Sequence, residues 1–281
     1  MPPYVLRTAL LRGHLALPIP SAMRVRYTHR RPSTLPIFSL EGKVCVVTGA
    51  SQGLGQQILA AFARSGAHGA VVDLELDSAK HSVEGMQAEV KEAGLPEANL
   101  RPYECDTSDE QAVKSTFKQI VQDSESPAEE YSYEDWKKML EVNIDGTFLF
   151  ARETGKHMIE KGIKGAIIMV SSMSGRIVNK PQKQSAYNTS KAAVAHLMKS
   201  LASEWGEHGI RVNAMSPGYI DTPANQDEEM KELSKEWLKM IPLGRIAKPE
   251  EFRGTAVWLA SDASSYVTGS EIIVDGGYTI W

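Results

Sequence analysis

A glycine-rich turn between a predicted strand and a predicted helix constrains this chain more than any other feature. Residues 43–47 form a short, β-branched run that suits a buried parallel strand. Residues 56–64 repeat their apolar side chains at helical spacing, and Gly66 is positioned to end that helix. A strand, a glycine turn and a helix in this order bind dinucleotides, because the helix start presents free N–H groups to the pyrophosphate. The sequence therefore predicts an α/β fold with a dinucleotide site at this turn.

The three glycines of the turn have separate predicted roles. Gly49 permits the tight turn, Gly53 lets the backbone approach the pyrophosphate, and Gly55 allows close packing of helix on strand. An ordinary strand-to-helix turn needs only one or two of them. The residues predicted to hold the cofactor here are Thr48, Gly49, Ser51, Gln52, Gly53, Leu54 and Gly55.

A tyrosine and a lysine four residues apart form a second candidate site. Tyr187 and Lys191 fall on one face of a helix predicted over residues 187–205. A free phenol has a pKa near ~10, and a nearby ammonium lowers that pKa by favouring the phenolate. Ser172 follows the strand-like run 166–170, where its hydroxyl can hold a carbonyl or alcohol oxygen facing the tyrosine. The spacing by itself also occurs by chance on many helices.

Together these motifs resemble the short-chain dehydrogenase/reductase family, over roughly residues 40–281. The family's motifs match in the family's own order. The matching positions are Thr48, Gly49, Gly53, Gly55, Asn143, Ser172, Tyr187, Lys191, Pro217, Gly218, Thr268, Gly269 and residues 274–277.

The resemblance implies a single doubly wound Rossmann-type parallel sheet between two helix layers. It also implies reversible hydride transfer between a nicotinamide and a secondary alcohol or ketone. Tyr187 would exchange the proton, Ser172 would orient the substrate oxygen, and Lys191 would lower the pKa of Tyr187 and hold the ribose. Asn143 would position a water, although a structural asparagine that kinks its helix is a serious alternative. A homodimer or homotetramer is expected.

The choice of cofactor is predicted to be NAD rather than NADP. Asp73 closes the second strand about 20 residues beyond the glycine turn, where a carboxylate binds the ribose 2′-hydroxyl and repels a 2′-phosphate. The alternative is that Asp73 merely caps a turn. Asp106, at the end of the third strand, and Ile220 and Thr222, after Pro217–Gly218, are further predicted cofactor contacts.

One element of the family is missing from the sequence. The family carries a strand ending in Asn-Asn-Ala-Gly between the third strand and the helix that bears Asn143, and nothing strand-like occupies that interval here. The interval is short by about a dozen residues, roughly one strand with its turns. The missing strand would be a central one, beside the first strand. A skipped exon or faulty gene model and a genuine inactive variant are both open explanations.

The predicted substrate is a polyol or ketose. Asn179, Gln182 and Gln184 lie on a loop expected to border the pocket, with Ser172, and can hydrogen-bond several hydroxyls. The run 172–187 and the ending Gly-Gly-Tyr-Thr-Ile-Trp resemble the arabinitol, sorbose and mannitol dehydrogenase branch. A β-ketoacyl carrier-protein reductase and an inactive relative that only binds partners are the alternatives. Residues 223–237 are expected to form a mobile lid or a solvated amphipathic helix.

Residues 1–39 differ in kind, with six arginines and no acidic residue. That composition predicts a mitochondrial transit segment and a matrix enzyme, whereas an arm without a targeting role would leave a cytoplasmic one. The full chain carries a net charge of −4, which gives no reason to expect nucleic acid, and no apolar run approaches the length of a membrane span. The histidines show no metal-ligand spacing, so no metal is expected. Cys45 and Cys105 are interpreted as buried thiols.

Overall fold

The computed structural model describes residues 35–105, 127–221 and 228–281, with only the backbone described over 228–231. Its six strands are all parallel to their neighbours. In chain order they are β1 Val44–Thr48, β2 His68–Asp73, β3 Leu100–Glu104, β4 Ala166–Val170, β5 Arg211–Pro217 and β6 Glu271–Val274. The strands predicted at 43–47 and 166–170 are present within one residue of those bounds, and the second and third strands end within two residues of Asp73 and Asp106, which confirms the α/β class.

Seven α-helices connect and cover these strands in the described part of the chain. They are α1 Gly53–Arg64, α2 Leu76–Glu92, α3 Tyr133–Leu140, α4 Gly146–Lys161, α5 Ser185–Trp205, α6 Glu228–Met240 and α7 Arg253–Ala260. Helix α1 ends where the sequence predicted, because Gly66 has a φ of 97°, a conformation that suits glycine. The Oγ of Ser132 begins α3 by accepting the backbone N–H of Asp135 over 3.0 Å.

The described strands form two sheets of three, ordered β1-β2-β3 and β4-β5-β6. This differs from the single continuous sheet that the sequence predicted. The two strands that would flank the family's missing strand, β1 and β4, are each the last strand of their sheet. Residues 106–126, which include the predicted helical stretch 110–122, lie outside the described residues.

One hydrophobic core nevertheless spans both sheets. Leu59 and Phe62 of α1 pack with Met215 of β5 and Phe252 before α7, and Val47 of β1 and Ile168 of β4 contact the same cluster. A second cluster lies on the opposite face, where Val194, Met198 and Leu201 of α5 meet Met169 of β4. Burying such side chains stabilises by about 1.5–3 kcal/mol each. The shared core fixes β1 and β4 on either side of a common cleft.

In residues 35–105, 127–221 and 228–281, no helix is both long and apolar enough to cross a membrane. Among the same residues, no group of three or more His, Cys, Asp or Glu side chains is placed to hold a metal ion. Cys45 and Cys105, which the sequence analysis interprets as buried thiols, are both half-buried. The predicted transit segment, apart from residues 35–39, lies outside the described part of the chain.

Candidate active site

The glycine turn has the geometry that a phosphate-binding loop requires. Gly49 and Gly53 adopt φ values of 63° and 58°, where other residues are strained. A Cβ on Gly55 would lie 2.3 Å from the carbonyl oxygen of Gly49, so only glycine fits there. A Cβ on Gly53 would meet no atom within 4 Å, which leaves its backbone open to a ligand. The buried Oγ of Ser51 has no hydrogen-bond partner among the described residues. All of these features fit a bound dinucleotide.

Asp73 joins the end of β2 to the glycine turn. Its Oδ2 accepts the backbone N–H of Ser51 over 3.0 Å, and its Oδ1 accepts the N–H of Leu74 over 2.8 Å. The carboxylate therefore caps its own turn, as the simpler interpretation of the sequence held. Each carboxylate oxygen can accept a further hydrogen bond, so the capping leaves capacity for a ribose hydroxyl. The two interpretations of Asp73 are compatible.

Tyr187, Lys191 and Ser172 lie around one space at the end of β4. Helix α5 carries the tyrosine and the lysine, and the Nζ of Lys191 lies 5.6 Å from the centre of the Tyr187 ring. Ser172 is buried and caps a short turn by accepting the backbone N–H of Ser174 over 3.1 Å. The same Nζ donates to the backbone carbonyl of Val170 over 3.3 Å. The three side chains that the family resemblance assigns to the reaction therefore border the same cleft.

The turn that carries Ser172 is fastened to α5 at the lysine. The Oγ of Ser171 donates to the backbone carbonyl of Lys191 over 2.7 Å. Gly175 approaches the same peptide so closely that an added Cβ would lie 2.7 Å from the carbonyl carbon of Lys191. The distance between Ser172 and Lys191 is therefore set by Ser171 and Gly175, which the sequence analysis did not single out. In the sequence, Gly175 at the end of the run Ser-Ser-Met-Ser-Gly was the feature that could have indicated this close contact.

Asn143 occupies a turn of π-helix, Glu141–Asp145, between α3 and α4. Its Nδ2 donates to the Oγ of Ser190 over 3.1 Å, and Ser190 in turn donates to the carbonyl of Tyr187 over 2.8 Å. The carbonyl of Asn143 accepts the hydroxyl of Thr147 over 2.7 Å. These bonds match the alternative of a structural asparagine that interrupts its helix. The predicted water-positioning role stays a prediction.

The predicted substrate loop carries a network of amides centred on Tyr219. The Nδ2 of Asn179 and the Nε2 of Gln182 donate to the Tyr219 hydroxyl over 3.1 and 3.0 Å. Gln184, just before α5, donates to the Oδ1 of Asn179 over 3.1 Å and to that of Asn188 over 2.9 Å. Burial, opposed by the amide of Asn179, holds the pKa of Tyr219 above its usual range. Tyr219 therefore acts as a neutral anchor for the loop.

Helix α6 reaches this network through Trp237. The indole Nε1 donates to the Oε1 of Gln182 over 3.1 Å, and the indole ring stacks on Tyr219 with centroids 3.9 Å apart. Trp237 is buried with Met173, Ile241 and Tyr278. The segment predicted as a lid is thus, over its described part, an amphipathic helix docked on the substrate loop. Its predicted beginning, residues 223–227, lies outside the described residues.

A single cleft of about 2270 Å³ gathers the predicted site residues. It extends from the glycine turn, past β1 and β4, to the substrate loop and Trp237. Asp106 and Thr222 lie outside the described residues. The other predicted residues all line the cleft: Thr48, Gly49, Ser51, Gln52, Gly53, Leu54, Gly55, Asp73, Asn143, Ser172, Asn179, Gln182, Gln184, Tyr187, Lys191, Pro217, Gly218 and Ile220.

Comparison with known proteins identifies the same family that the sequence motifs resemble. A family model described as enoyl-(acyl carrier protein) reductase matches residues 49–279. The chain is 37% identical over 270 residues to the D-arabinitol 2-dehydrogenase (ribulose-forming) of Candida tropicalis, covering 88% of this chain and 96% of that protein. It is 38% identical to the NADP-dependent mannitol dehydrogenase of Hypocrea jecorina, covering 93% and 98%. A solved short-chain dehydrogenase/reductase from Mycobacterium marinum is 37% identical, with a TM-score of 0.76, covering 87% and 98%.

The arabinitol dehydrogenase alignment also contains a difference in length. The alignment is 270 residues long but includes only 88% of this 281-residue chain, which is about 247 residues. About 23 positions of the alignment therefore have no counterpart in this chain. That shortfall is larger than the dozen or so residues of one strand with its turns. The matched family model and the 37% identity to this relative lead to one conclusion. The chain belongs to the short-chain dehydrogenase/reductase family.

Proposed function

We propose that the chain is an NAD-dependent oxidoreductase that interconverts a polyol and a ketose, such as arabinitol and ribulose. The observation that carries this proposal is the polar wall beside Ser172 and Tyr187. The carboxamides of Asn179, Gln182 and Gln184 line the same cleft as the proposed reacting groups. Amides that both donate and accept suit a substrate with a hydroxyl on every carbon. The similarity to an arabinitol dehydrogenase and a mannitol dehydrogenase supports the same substrate class.

In the proposed mechanism the chain's own residues orient the substrate and move one proton. Ser172 donates to the substrate oxygen, which also faces the hydroxyl of Tyr187. Tyr187 gives its proton to that oxygen during reduction and takes it back during oxidation. The Nζ of Lys191, 5.6 Å from the centre of the Tyr187 ring, places the lysine beside the proposed proton donor. The nicotinamide, when bound, supplies or accepts the hydride.

The residues proposed to hold the cofactor belong to three neighbouring segments. The N–H groups at the start of α1 and the Oγ of Ser51, which has no partner among the described residues, would hold the pyrophosphate, and Asp73 would accept a hydroxyl of the adenosine ribose. Pro217, Gly218 and Ile220, which line the same cleft, would contact the nicotinamide. An acidic side chain at the ribose disfavours the 2′-phosphate of NADP, which is why NAD is proposed.

Turnover of a substrate panel tests the proposal. Arabinitol, mannitol, sorbose and ribulose would be compared with an acetoacetyl thioester, each with NAD(H) and NADP(H). The proposal requires the largest kcat/KM for a polyol or ketose with NAD(H). A larger kcat/KM for the acetoacetyl substrate with NADPH would replace it by the carrier-protein reductase that was the sequence-based alternative.

We also propose that residues 1–39 direct the protein to the mitochondrial matrix and that the enzyme is a homodimer or homotetramer. Six arginines without an acidic residue support the first part. A fluorescent reporter fused to residues 1–39 should enter mitochondria, and a reporter that stays in the cytosol would contradict this. Light scattering of the purified chain measures the second part directly.

A further inference from the structure

We propose that Ser82 is a positioning residue of the cofactor site and acts through the peptide that joins Ala50 to Ser51. Asp73 holds the N–H end of this peptide, and Ser82 holds its carbonyl end. These two side chains form a peptide clamp that fixes the glycine turn in the shape that receives a pyrophosphate. The positioning role rests on the proposed binding of NAD at that turn, whereas the clamp is a property of the chain without cofactor.

Ser82 lies on α2, 32 residues beyond the turn residue that it contacts. Its Oγ donates to the backbone carbonyl of Ala50 over 2.9 Å. A serine in the interior of a helix usually turns its hydroxyl to solvent or to a carbonyl one turn back in the same helix. Ser82 is only 2% exposed, and its hydroxyl reaches a carbonyl outside α2 instead. The hydroxyl therefore joins α2 to the glycine turn.

Gln56 fixes the direction in which Ser82 donates. The Nε2 of Gln56 donates to the Oγ of Ser82 over 3.2 Å, and an amide nitrogen of this kind cannot accept in return. The single proton of the serine hydroxyl is thus left for the carbonyl of Ala50. Because Gln56 belongs to α1, this chain of hydrogen bonds joins both α1 and α2 to the turn.

The carbonyl of Ala50 and the N–H of Ser51 belong to one planar peptide, and in a trans peptide these two groups point in opposite directions. The N–H donates to the Oδ2 of Asp73 over 3.0 Å, while the carbonyl accepts from Ser82. A rotation of the peptide about its two flanking bonds would break both hydrogen bonds at once. The clamp therefore holds this peptide from the end of β2 on one side and from α2 on the other.

The clamped peptide directs the groups that are proposed to hold the pyrophosphate. Ser51 carries the buried Oγ that has no partner among the described residues, and α1 begins shortly after it, at Gly53. Ala50 is fully buried, so its carbonyl has no ready replacement from water when the hydroxyl of Ser82 is removed. The turn is then expected to shift, and the N–H groups at the start of α1 shift with it. Ser82 does not itself line the cleft, so its effect on a cofactor passes through the turn.

Amide hydrogen exchange in the cofactor-free chain tests the clamp. Ser82→Ala should speed exchange at the amide of Ser51 by about threefold to tenfold, because the peptide loses the partner at its carbonyl end. The amide of Leu74 is the internal reference, since it donates to the other carboxylate oxygen of Asp73 over 2.8 Å and should keep its rate. Equal rates at Ser51 in wild type and variant would overturn the clamp. An equal acceleration at Ser51 and Leu74 would also overturn it, because it would indicate a general loosening around Asp73.

Ligand affinity tests the positioning role. Calorimetry would give the dissociation constants of NAD and of ADP-ribose, which carries the pyrophosphate without the nicotinamide. Ser82→Ala should weaken the binding of both ligands by about threefold or more, because a smaller fraction of the chain then holds the turn in the binding shape. Ser261→Ala is the matched control, since Ser261 is fully buried and its Oγ donates to the backbone carbonyl of Trp258 over 3.0 Å. This control should lower Tm and leave both affinities unchanged.

The outcomes separate this inference from the proposed function. Equal affinity of wild type and Ser82→Ala for NAD would overturn the positioning role alone. A loss of affinity for NAD but not for ADP-ribose would overturn it too, because the effect would then lie at the nicotinamide and not at the turn. A wild-type chain that binds neither ligand would contradict the proposed cofactor site and the positioning role together, while the exchange rate at Ser51 would still decide the clamp. A chain that binds NAD as expected yet turns over no polyol would contradict only the proposed function.

Discussion

The backbone N–H of Ser51 lies 3.0 Å from the Oδ2 of Asp73, so the carboxylate that ends β2 also fixes the glycine turn of the cofactor site. Asp73 therefore holds the turn in place and is also proposed to select NAD over NADP. A carboxylate held by two N–H groups is well placed to reject a phosphate and to accept a hydroxyl.

Asp73→Asn is expected to reduce the preference for NAD over NADP by about tenfold or more, because it removes the charge and keeps an oxygen acceptor for Ser51. The measurement is the ratio of dissociation constants for NAD and NADP by calorimetry. Asp77→Asn is the matched control, since Asp77 is exposed on α2 and pairs with Lys80. A native chain that binds NADP more tightly than NAD would refute the assignment.

Tyr187→Phe is expected to lower kcat by about 100-fold to 10,000-fold while NAD binding stays almost unchanged, because the ring remains and only the proton donor is lost. Activity of wild type and variant is compared in a chain with the missing strand restored. Lys191→Ala should weaken NAD binding as well, because lysine has two proposed roles. Retention of more than a few per cent of activity by Tyr187→Phe would exclude it as the acid and base.

Trp237→Phe is expected to raise KM for the polyol severalfold with little change in NAD binding. The variant keeps an aromatic ring on Tyr219 but loses the N–H that holds Gln182. Trp281→Phe serves as the control. The Nε1 of Trp281 donates to the carbonyl of Met240, which lies on α6 like Trp237, and not to the substrate loop. Equal KM values in both variants would show that the Trp237–Gln182 bond does not position the loop.

The thiol of Cys45 should make stability depend on alkaline pH. Burial raises its pKa to about 12, with Lys43 opposing the shift. The folded chain thus holds the proton to higher pH than the unfolded chain, so this contribution is present below the ordinary thiol pKa and is lost as pH rises towards 12. Urea unfolding from pH 8 upward should show a steeper loss in wild type than in Cys45→Ala. Parallel curves would contradict the assignment.

The sequence predicted the elements better than their arrangement. The β-branched run 43–47 and the apolar run 166–170 located β1 and β4, because those signals are local. The division into two sheets depends on which strand lies beside β1, a question of long-range pairing that periodicity does not address. The same limit applies to Asn179 and Gln182, whose partner Tyr219 is 40 and 37 residues away. The sequence indicated that these amides border the cleft but not that both donate to the hydroxyl of Tyr219.

The contact between Gly175 and Lys191 was missed for a related reason. A glycine after a short turn is common, and only the packing of that turn against α5 shows that no side chain fits. Asp73 differs, because the structure is compatible with both of its sequence-based interpretations. The carboxylate caps the turn and can also accept a hydrogen bond from a ribose hydroxyl. Local chemistry was therefore predictable at the glycine turn and at Tyr187, where motif and element coincide.

The most direct measurement concerns the cleft between β1 and β4. A strand of the family's type, ending in Asn-Asn-Ala-Gly, would be inserted between Asp123 and Ser126, with a Gly/Ser insert of equal length as control. A central strand supplies two ladders and two buried faces, against a total domain stability of about 5–15 kcal/mol. We predict that the strand insert raises Tm by about 10 °C or more and raises polyol turnover many-fold, while the control does neither. Equal Tm and equal turnover in the native chain and the strand insert would contradict the account.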